Sequence, residues 1–208
     1  MKVGVLASGE GSNLQAILER VHGRGGVEVV AVGSDKPGAR ALGRARACGV
    51  PARAFPSAEH TDRRARDLAM AAWLAEHGVE LVVLAGYMQL LDPAFLARFP
   101  QRVINVHPAL LPAFPGIRSV ERAVEHGVKV FGVTVHFVDE GVDTGPIIAQ
   151  RALELPDAAD AESVRAALRP LEHELLPEVV RLIAAGAVLT DRENPRRVHV
   201  RPLYGAAG

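Results

Sequence analysis

Two polar residues interrupt an apolar run in Arg102-Val103-Ile104-Asn105-Val106-His107-Pro108. Asn105 and His107 are two positions apart, so an extended strand turns both side chains to one face. Pro108 and the following Ala109-Leu110-Leu111-Pro112 restrict the chain as it leaves the strand and hold the imidazole in one orientation. A histidine at a strand end also serves commonly as a hydrogen-bonded structural residue. A third group comes from the loop Asp139-Glu140-Gly141-Val142-Asp143-Thr144-Gly145-Pro146. Acids in such loops commonly cap turns. If the loop folds back onto the Asn105 strand, however, Asp143 pairs with His107 and keeps the imidazole more basic.

These groups have complementary chemistry. An amide donates a hydrogen bond to an oxyanion, an imidazole exchanges a proton near neutral pH, and a carboxylate accepts one through the imidazole or a water. The set suits acyl transfer to an amine. A covalent acyl-enzyme is not expected: no Gly-x-Ser-x-Gly turn is present, and Cys48 lies in a predicted helix without a paired histidine. A metal site is not expected either, because the eight histidines are scattered, none spaced His-x-x-x-His, and there is no second cysteine.

A second feature is Ser8-Gly9-Glu10-Gly11-Ser12-Asn13-Leu14, between the first predicted strand and the first predicted helix. Glycines let the backbone approach an anion, and the N–H groups opening the helix point at it with the positive end of the dipole. Ser12 and Asn13 add side-chain donors. Glycine also serves α/β turns simply by making the bend. Leu14 stands where a dinucleotide fingerprint needs its third glycine, so a monophosphate suits this loop better than a pyrophosphate.

The elements that must position these groups alternate between strand and helix. Strands are predicted at residues 2–7, 27–33, 81–85 and 102–106, and helices at 12–22, 39–48 and 61–77. Such alternation implies right-handed crossovers and a parallel sheet covered on both faces, with loops after the strands carrying the site. Beyond Pro108 the pattern changes. Residues 130–138 alternate, with Val133, Val135 and Phe137 on one face and Thr134 and His136 on the other, and residues 147–152 can pair with them. Residues 161–185 form a helix that Pro170 and Pro177 are expected to bend or divide, before a short strand near residues 197–201. The fold class is therefore α/β, a mostly parallel sheet with helices on both faces and an antiparallel C-terminal part. One domain over residues 1–208 is expected, residues 1–100 carrying the phosphate turn and 101–208 the catalytic cluster.

Composition narrows the partners. A chain of 208 residues can bury roughly 70% of its unfolded surface. With 24 basic and 24 acidic residues it has no overall field to attract nucleic acid or an anionic membrane. The longest apolar stretch, residues 79–91, is broken by Glu80 and too short to span a bilayer of about 30 Å. A single cysteine permits no intramolecular disulfide, and the expected setting is the cytoplasm.

Five motifs in order, covering nearly the whole chain, resemble the phosphoribosylglycinamide formyltransferases. They are Ser8-Gly-Glu-Gly-Ser-Asn-Leu-Gln15, Leu84-Ala-Gly-Tyr-Met-Gln-Leu-Leu91, Asn105-Val-His-Pro-Ala-Leu-Leu-Pro112, Gly132-Val-Thr-Val-His-Phe-Val138 and Asp143-Thr-Gly-Pro146. The resemblance implies a Rossmann-like sheet, 10-formyltetrahydrofolate as formyl donor and glycinamide ribonucleotide as acceptor, in a monomer or homodimer. It implies substrate phosphate at Gly11, Ser12 and Asn13, with a phosphate-side arginine at Arg63, although Arg64 and Arg66 are its neighbours and the three suit a solvated charged helix start. Glu172 matches an acid near the substrate's sugar, a position nearly as well suited to a helix-surface salt bridge. A pterin pocket is implied at Met88, Gln89, Leu90 and Leu91, closed by Asp139, Glu140 and the rest of the loop to Asp143; plain core packing would account for part of the role of the apolar three. Catalytic roles fall on Asn105, His107 and Asp143. The stretch Gly116-Ile117-Arg118-Ser119-Val120 lacks histidines that some members carry, and Arg118 is given no catalytic part.

Three rivals bear on this reading. A formyltetrahydrofolate hydrolase resembles a longer architecture with an N-terminal regulatory domain, whereas this chain opens on its first strand. A methionyl-tRNA formyltransferase would need a further C-terminal domain and a basic RNA-binding surface. A noncatalytic nucleotide-binding module would keep the glycine turn and leave Asn105, His107 and Asp143 without a joint purpose.

Overall fold

The structure, a computed structural model, describes residues 1–202. Its first half lays down β1 (Lys2–Leu6), α1 (Ser12–Arg20), β2 (Glu28–Ser34), α2 (Arg40–Ala47), β3 (Ala52–Ala54), α3 (Arg63–Glu76), β4 (Leu81–Leu84) and α4 (Pro93–Leu96). The second half adds β5 (Val103–His107), α5 (Ser119–Glu125), β6 (Val130–Phe137), β7 (Ile147–Glu154), α6 (Ala161–Ala184), β8 (Val188–Thr190) and β9 (Val198–Val200).

Seven strands form one sheet in the order β3-β2-β1-β4-β5-β6-β7. Pairing is parallel from β3 to β5 and antiparallel from β5 through β7. The chain runs outward from β1 through β2 to β3, then returns to place β4 on the other side of β1. That reversal is a topological switch, where open α/β sheets leave a crevice beyond the carboxyl ends of the strands. The turns after β1 and β4 meet there: the Ser8 N–H donates to the Gly86 carbonyl at 3.0 Å.

Period-two alternation divides the core. Val3, Val5, Leu81 and Val83 face α1, α2, α5 and α6, while Leu6, Val82 and Leu84 face α3 and α4. Leu74 of α3 is fully buried on the second side, and a Cβ added at Gly4 would come within 2.9 Å of its Cδ2. The bare backbone of Gly4 thus lets α3 seat on the sheet. Leu74→Ala is expected to cost about 2–5 kcal/mol of stability, read from urea unfolding midpoints at constant slope.

The expected elements are present within a few residues, and the α/β class with its antiparallel C-terminal part is the one observed. Two sequence expectations need correction. α6 is not divided at its prolines: it is one continuous helix of 24 residues with both Pro170 and Pro177 inside it. Each proline removes only one backbone hydrogen bond. Burial of Leu168, Leu175, Leu176, Val179 and Val180 against the sheet and α1 keeps the helix continuous across both. Met88 and Leu90 are not core residues: they are 69% and 56% exposed. The sequence pattern did not yield β3, α4, α5 or β8, each eight residues long or less.

Candidate active site

β5 is the last strand of the parallel series and pairs on its other side with β6, which runs against it. The register sets Asn105 opposite His136 and His107 opposite Thr134. Residues directly opposite on an antiparallel pair share a face. Four polar side chains therefore form a small square at the end of β5, and Thr134, His136 and His107 are all buried.

The loop after β6 folds back over this square. Asp143 adopts φ 53, a left-handed conformation that a non-glycine residue rarely occupies. At Gly145 a Cβ would run into the Phe137 carbonyl, so the return depends on glycine. The turn brings one carboxylate into contact with four groups. Oδ2 accepts the Gly116 N–H at 2.7 Å and lies 3.2 Å from His107 Nδ1. Oδ1 accepts from Asn105 Nδ2 at 3.3 Å and lies 3.5 Å from His136 Nε2. Burial pushes the Asp143 carboxyl up, but His136, His107 and the Gly116 N–H outweigh it and hold the group at about 2. It is a carboxylate across the physiological range.

His107 is held from both sides. Its Nε2 is 3.0 Å from the Phe114 carbonyl and its Nδ1 faces Asp143, so both nitrogens meet acceptors. Only the imidazolium can donate to both. Burial nevertheless pushes its pKa below the ordinary value, opposed by the Phe114 carbonyl and the Asp143 carboxylate. The sequence expectation of a more basic imidazole is thus corrected, because loss of solvent outweighs the adjacent carboxylate. The sign for stability follows: the unfolded chain binds this proton more readily, so stability rises with pH through this group and is lost as pH falls below the ordinary histidine value. Unfolding midpoints taken between about pH 7.5 and 5.5 should fall on acidification, with a shallower fall in His107→Gln.

The loop leaving β5 is secured by uncharged groups. Thr134 Oγ1 donates to the Ala109 carbonyl at 2.6 Å and accepts the Leu111 N–H at 3.1 Å. Gln150 Nε2 donates to the Leu111 carbonyl and to Thr134 Oγ1, each at 2.9 Å. These bonds set the path of the backbone toward Phe114 and Gly116, which supply two of the contacts around His107 and Asp143.

Three members of the square, Asn105, His107 and His136, floor a cleft of about 1040 Å³. Asn105, His107, His136 and Asp143 line it together with Met88, Gln89, Leu90, Leu91, Asp139 and Glu140. Of the large apolar side chains exposed among the described residues, Met88, Leu90, Ile117 and Val142 all stand on this cleft. An apolar rim over a polar floor suits a flat ring system carrying a reactive polar group. Asp139 is occupied by its own loop, accepting from the Gly141 N–H at 3.1 Å and from Thr144 Oγ1 at 2.6 Å. Arg63 lines the cleft at the start of α3, and Arg64 does not. Arg118 also lies on the rim, paired with Glu125 at 3.2 Å.

The glycine turn lies beside this cleft and not in its lining. Gly11 takes φ 75, and a Cβ there would lie 2.8 Å from the Ala41 Cα, so α2 packs against the bare turn. Glu10 is drawn away onto α2 by Arg40 and Arg44 at 2.9 and 2.8 Å. Asn13 Nδ2 donates to Glu172 Oε2 at 2.9 Å, which joins α1 to α6. Glu172 thus makes a hydrogen bond to an amide and not a surface salt bridge; burial pushes its carboxyl up, partly offset by Asn13. β1 and β5 are two strand spacings apart in the sheet, roughly 10 Å. That is the scale of a sugar phosphate laid across the carboxyl ends of β1, β4 and β5.

Sequence reasoning singled out Asn105, His107 and Asp143, and the fold brings them together. It missed His136 as a member, although the alternation had already set His136 and Thr134 apart from the apolar face. It also missed the Phe114 carbonyl and Gly116 N–H, which no side-chain pattern can signal.

Comparison with known proteins agrees with this geometry. Residues 1–180 match the family model described as "Formyl transferase". Phosphoribosylglycinamide formyltransferase of Bacillus subtilis is 42% identical over 181 residues, 86% of this chain and 93% of that protein. The Mycobacterium tuberculosis protein of that name is 45% identical over 184 residues, 88% of this chain and 85% of its own. Among solved structures, glycinamide ribonucleotide transformylase 1 from Symbiobacterium toebii superposes with a TM-score of 0.92 at 46% identity, covering 96% of this chain and 93% of the other. Switch-point topology, the polar square beneath an apolar rim and these likenesses converge, and the chain belongs to the phosphoribosylglycinamide formyltransferases of the formyl transferase family.

Proposed function

We propose that this chain transfers the formyl group of 10-formyltetrahydrofolate to the amine of glycinamide ribonucleotide, a step of purine synthesis, in the cytoplasm. The observation that carries this reading is the single carboxylate of Asp143 in reach of Asn105, His107 and His136 beneath an apolar rim. No metal is used. The pterin lies between Met88, Gln89, Leu90 and Leu91 and the loop bearing Asp139 and Glu140. The substrate phosphate meets Gly11, Ser12 and Asn13, Arg63 adds positive charge from the cleft side, and Glu172 receives a sugar hydroxyl.

The amine attacks the formyl carbon, and the carbonyl electron pair moves to oxygen. The Asn105 amide stabilises that oxyanion together with protonated His107, whose Nε2–H exchanges the Phe114 carbonyl for it while Nδ1 stays on Asp143. Negative charge developing beside His107 raises its proton affinity against the burial that lowers it in the free protein. Asp143, ionised and anchored, receives the ammonium proton and helps return it to N10 as the carbon–nitrogen bond to the donor breaks. The products are the formylated amide and tetrahydrofolate.

Purified protein incubated with both substrates should formylate the ribonucleotide, with donor consumed only in its presence. Formate release without ribonucleotide would favour a hydrolase, and binding without turnover a nucleotide-binding module. A bulkier residue at Gly11 must displace α2 or the turn, so Gly11→Ala is expected to raise the ribonucleotide KM by on the order of tenfold while moving the folate KM little, measured by varying each substrate in turn.

A further inference from the structure

The apolar rim contributed by residues 86–92 is held in place from below. Met88 and Leu90 project into solvent, yet Tyr87 beside them is buried. A short segment with exposed apolar side chains has little packing of its own to fix it. Two buried polar side chains supply what packing does not. Ser8 Oγ, at the end of β1, accepts the Met88 N–H at 2.9 Å. Asp67 Oδ2, on α3, accepts the Asp92 N–H at 2.8 Å. These acceptors are 4% and 0% exposed, and they grip the segment at its two ends.

Asp67 is itself an unusual group to bury. Its Oδ1 receives Arg66 Nε at 2.9 Å and lies 2.8 Å from Arg66 Nη2, with the arginine 2% exposed. Arg66 Nη1 donates on to Ser57 Oγ at 3.3 Å. A buried ion pair is seldom worth its desolvation as a stabilising device and is better suited to specifying one arrangement. The arrangement specified here is the path of residues 88–92. A charged acceptor holds a backbone N–H more strongly than a neutral one, and Asp92 in turn caps α4, accepting the Ala94 N–H at 2.9 Å.

We propose that Asp67, supported by Arg66, and Ser8 are positioning residues for the formyl donor: they hold the rim segment in its binding shape before the donor arrives. The inference rests on the reading of this cleft as the donor site. Neither residue touches the reacting atoms, so its effect falls on donor affinity and not on the chemical step.

The test compares kcat, donor KM and ribonucleotide KM in Asp67→Ala, Asp67→Asn, Ser8→Ala and Leu74→Ala. Asp67→Ala and Asp67→Asn both leave Arg66 without its carboxylate, but the asparagine retains an oxygen for the Asp92 N–H. Leu74→Ala weakens the same helix about two turns from Asp67 and alters neither of the two hydrogen bonds to the segment. Asp67→Ala and Ser8→Ala should each raise the donor KM by on the order of tenfold, with kcat and ribonucleotide KM within about threefold. Asp67→Asn keeps an oxygen for the Asp92 N–H but turns its NH2 on Arg66, so its donor KM should fall between those of the unaltered protein and Asp67→Ala, and Leu74→Ala should leave it unchanged. If Asp67→Ala does not fold, the Ser8→Ala shift decides. An unchanged donor KM in Ser8→Ala and any folded Asp67→Ala, or one that rises equally in Leu74→Ala, overturns the proposal while leaving the donor site in place. Absence of formyl transfer in the unaltered protein would instead overturn the donor-site reading, and the proposal with it.

Discussion

Asp143→Asn should lower kcat by about 10²–10⁴-fold, with a smaller change in either KM and a folded protein. The size follows from how much the carboxylate does. It meets the Gly116 N–H, Asn105 Nδ2 and two imidazoles, and it is held at about 2 by those neighbours. Asparagine can keep an oxygen toward Gly116, but its NH2 then faces the Asn105 NH2, donor against donor. The variant also cannot carry a proton from amine to leaving nitrogen. Steady-state kinetics with both substrates saturating reads the loss, and circular dichroism checks the fold. A kcat within about threefold of the unaltered protein would remove Asp143 from the mechanism.

His107→Ala should lower kcat by about 10²–10³-fold, the scale of losing one donor to a developing oxyanion. His107 is buried, so truncation also leaves the Phe114 carbonyl and one side of Asp143 short of a donor. A purely structural histidine would show its loss in the unfolding midpoint and spare the turnover of the folded fraction. Active-site titration alongside kcat separates the two, and near-normal turnover per folded site would refute the role.

Much of this site was legible before any coordinates. A strand spacing of two put Asn105 and His107 on one face, and a Gly- and Pro-containing loop offered Asp143 to them. These are local properties of the chain. What was not legible is nonlocal. His136 joins the cluster because β6 pairs with β5 in the register that sets it opposite Asn105. The lowered proton affinity of His107 is a consequence of enclosure, which spacing does not reveal. Arg66 belongs to a run of arginines that suits a solvated helix start, and only its nonlocal neighbours, Ser57 beside it and the Asp92 N–H on Asp67, mark a buried pair. Met88 and Leu90 look like core residues because hydrophobicity alone cannot tell a core from the rim of a ligand cleft.

In the proposed mechanism one carboxylate gathers an amide and an imidazole at the point where the formyl oxygen will carry charge. A crystal structure with glycinamide ribonucleotide and an unreactive formyl-donor analogue tests it directly. The analogue's carbonyl oxygen should lie within about 3 Å of Asn105 Nδ2 and of a His107 ring nitrogen, with the phosphate on Gly11–Asn13. An analogue whose carbonyl points away from β5, with the amine far from it and Asp143 unmoved, would contradict it.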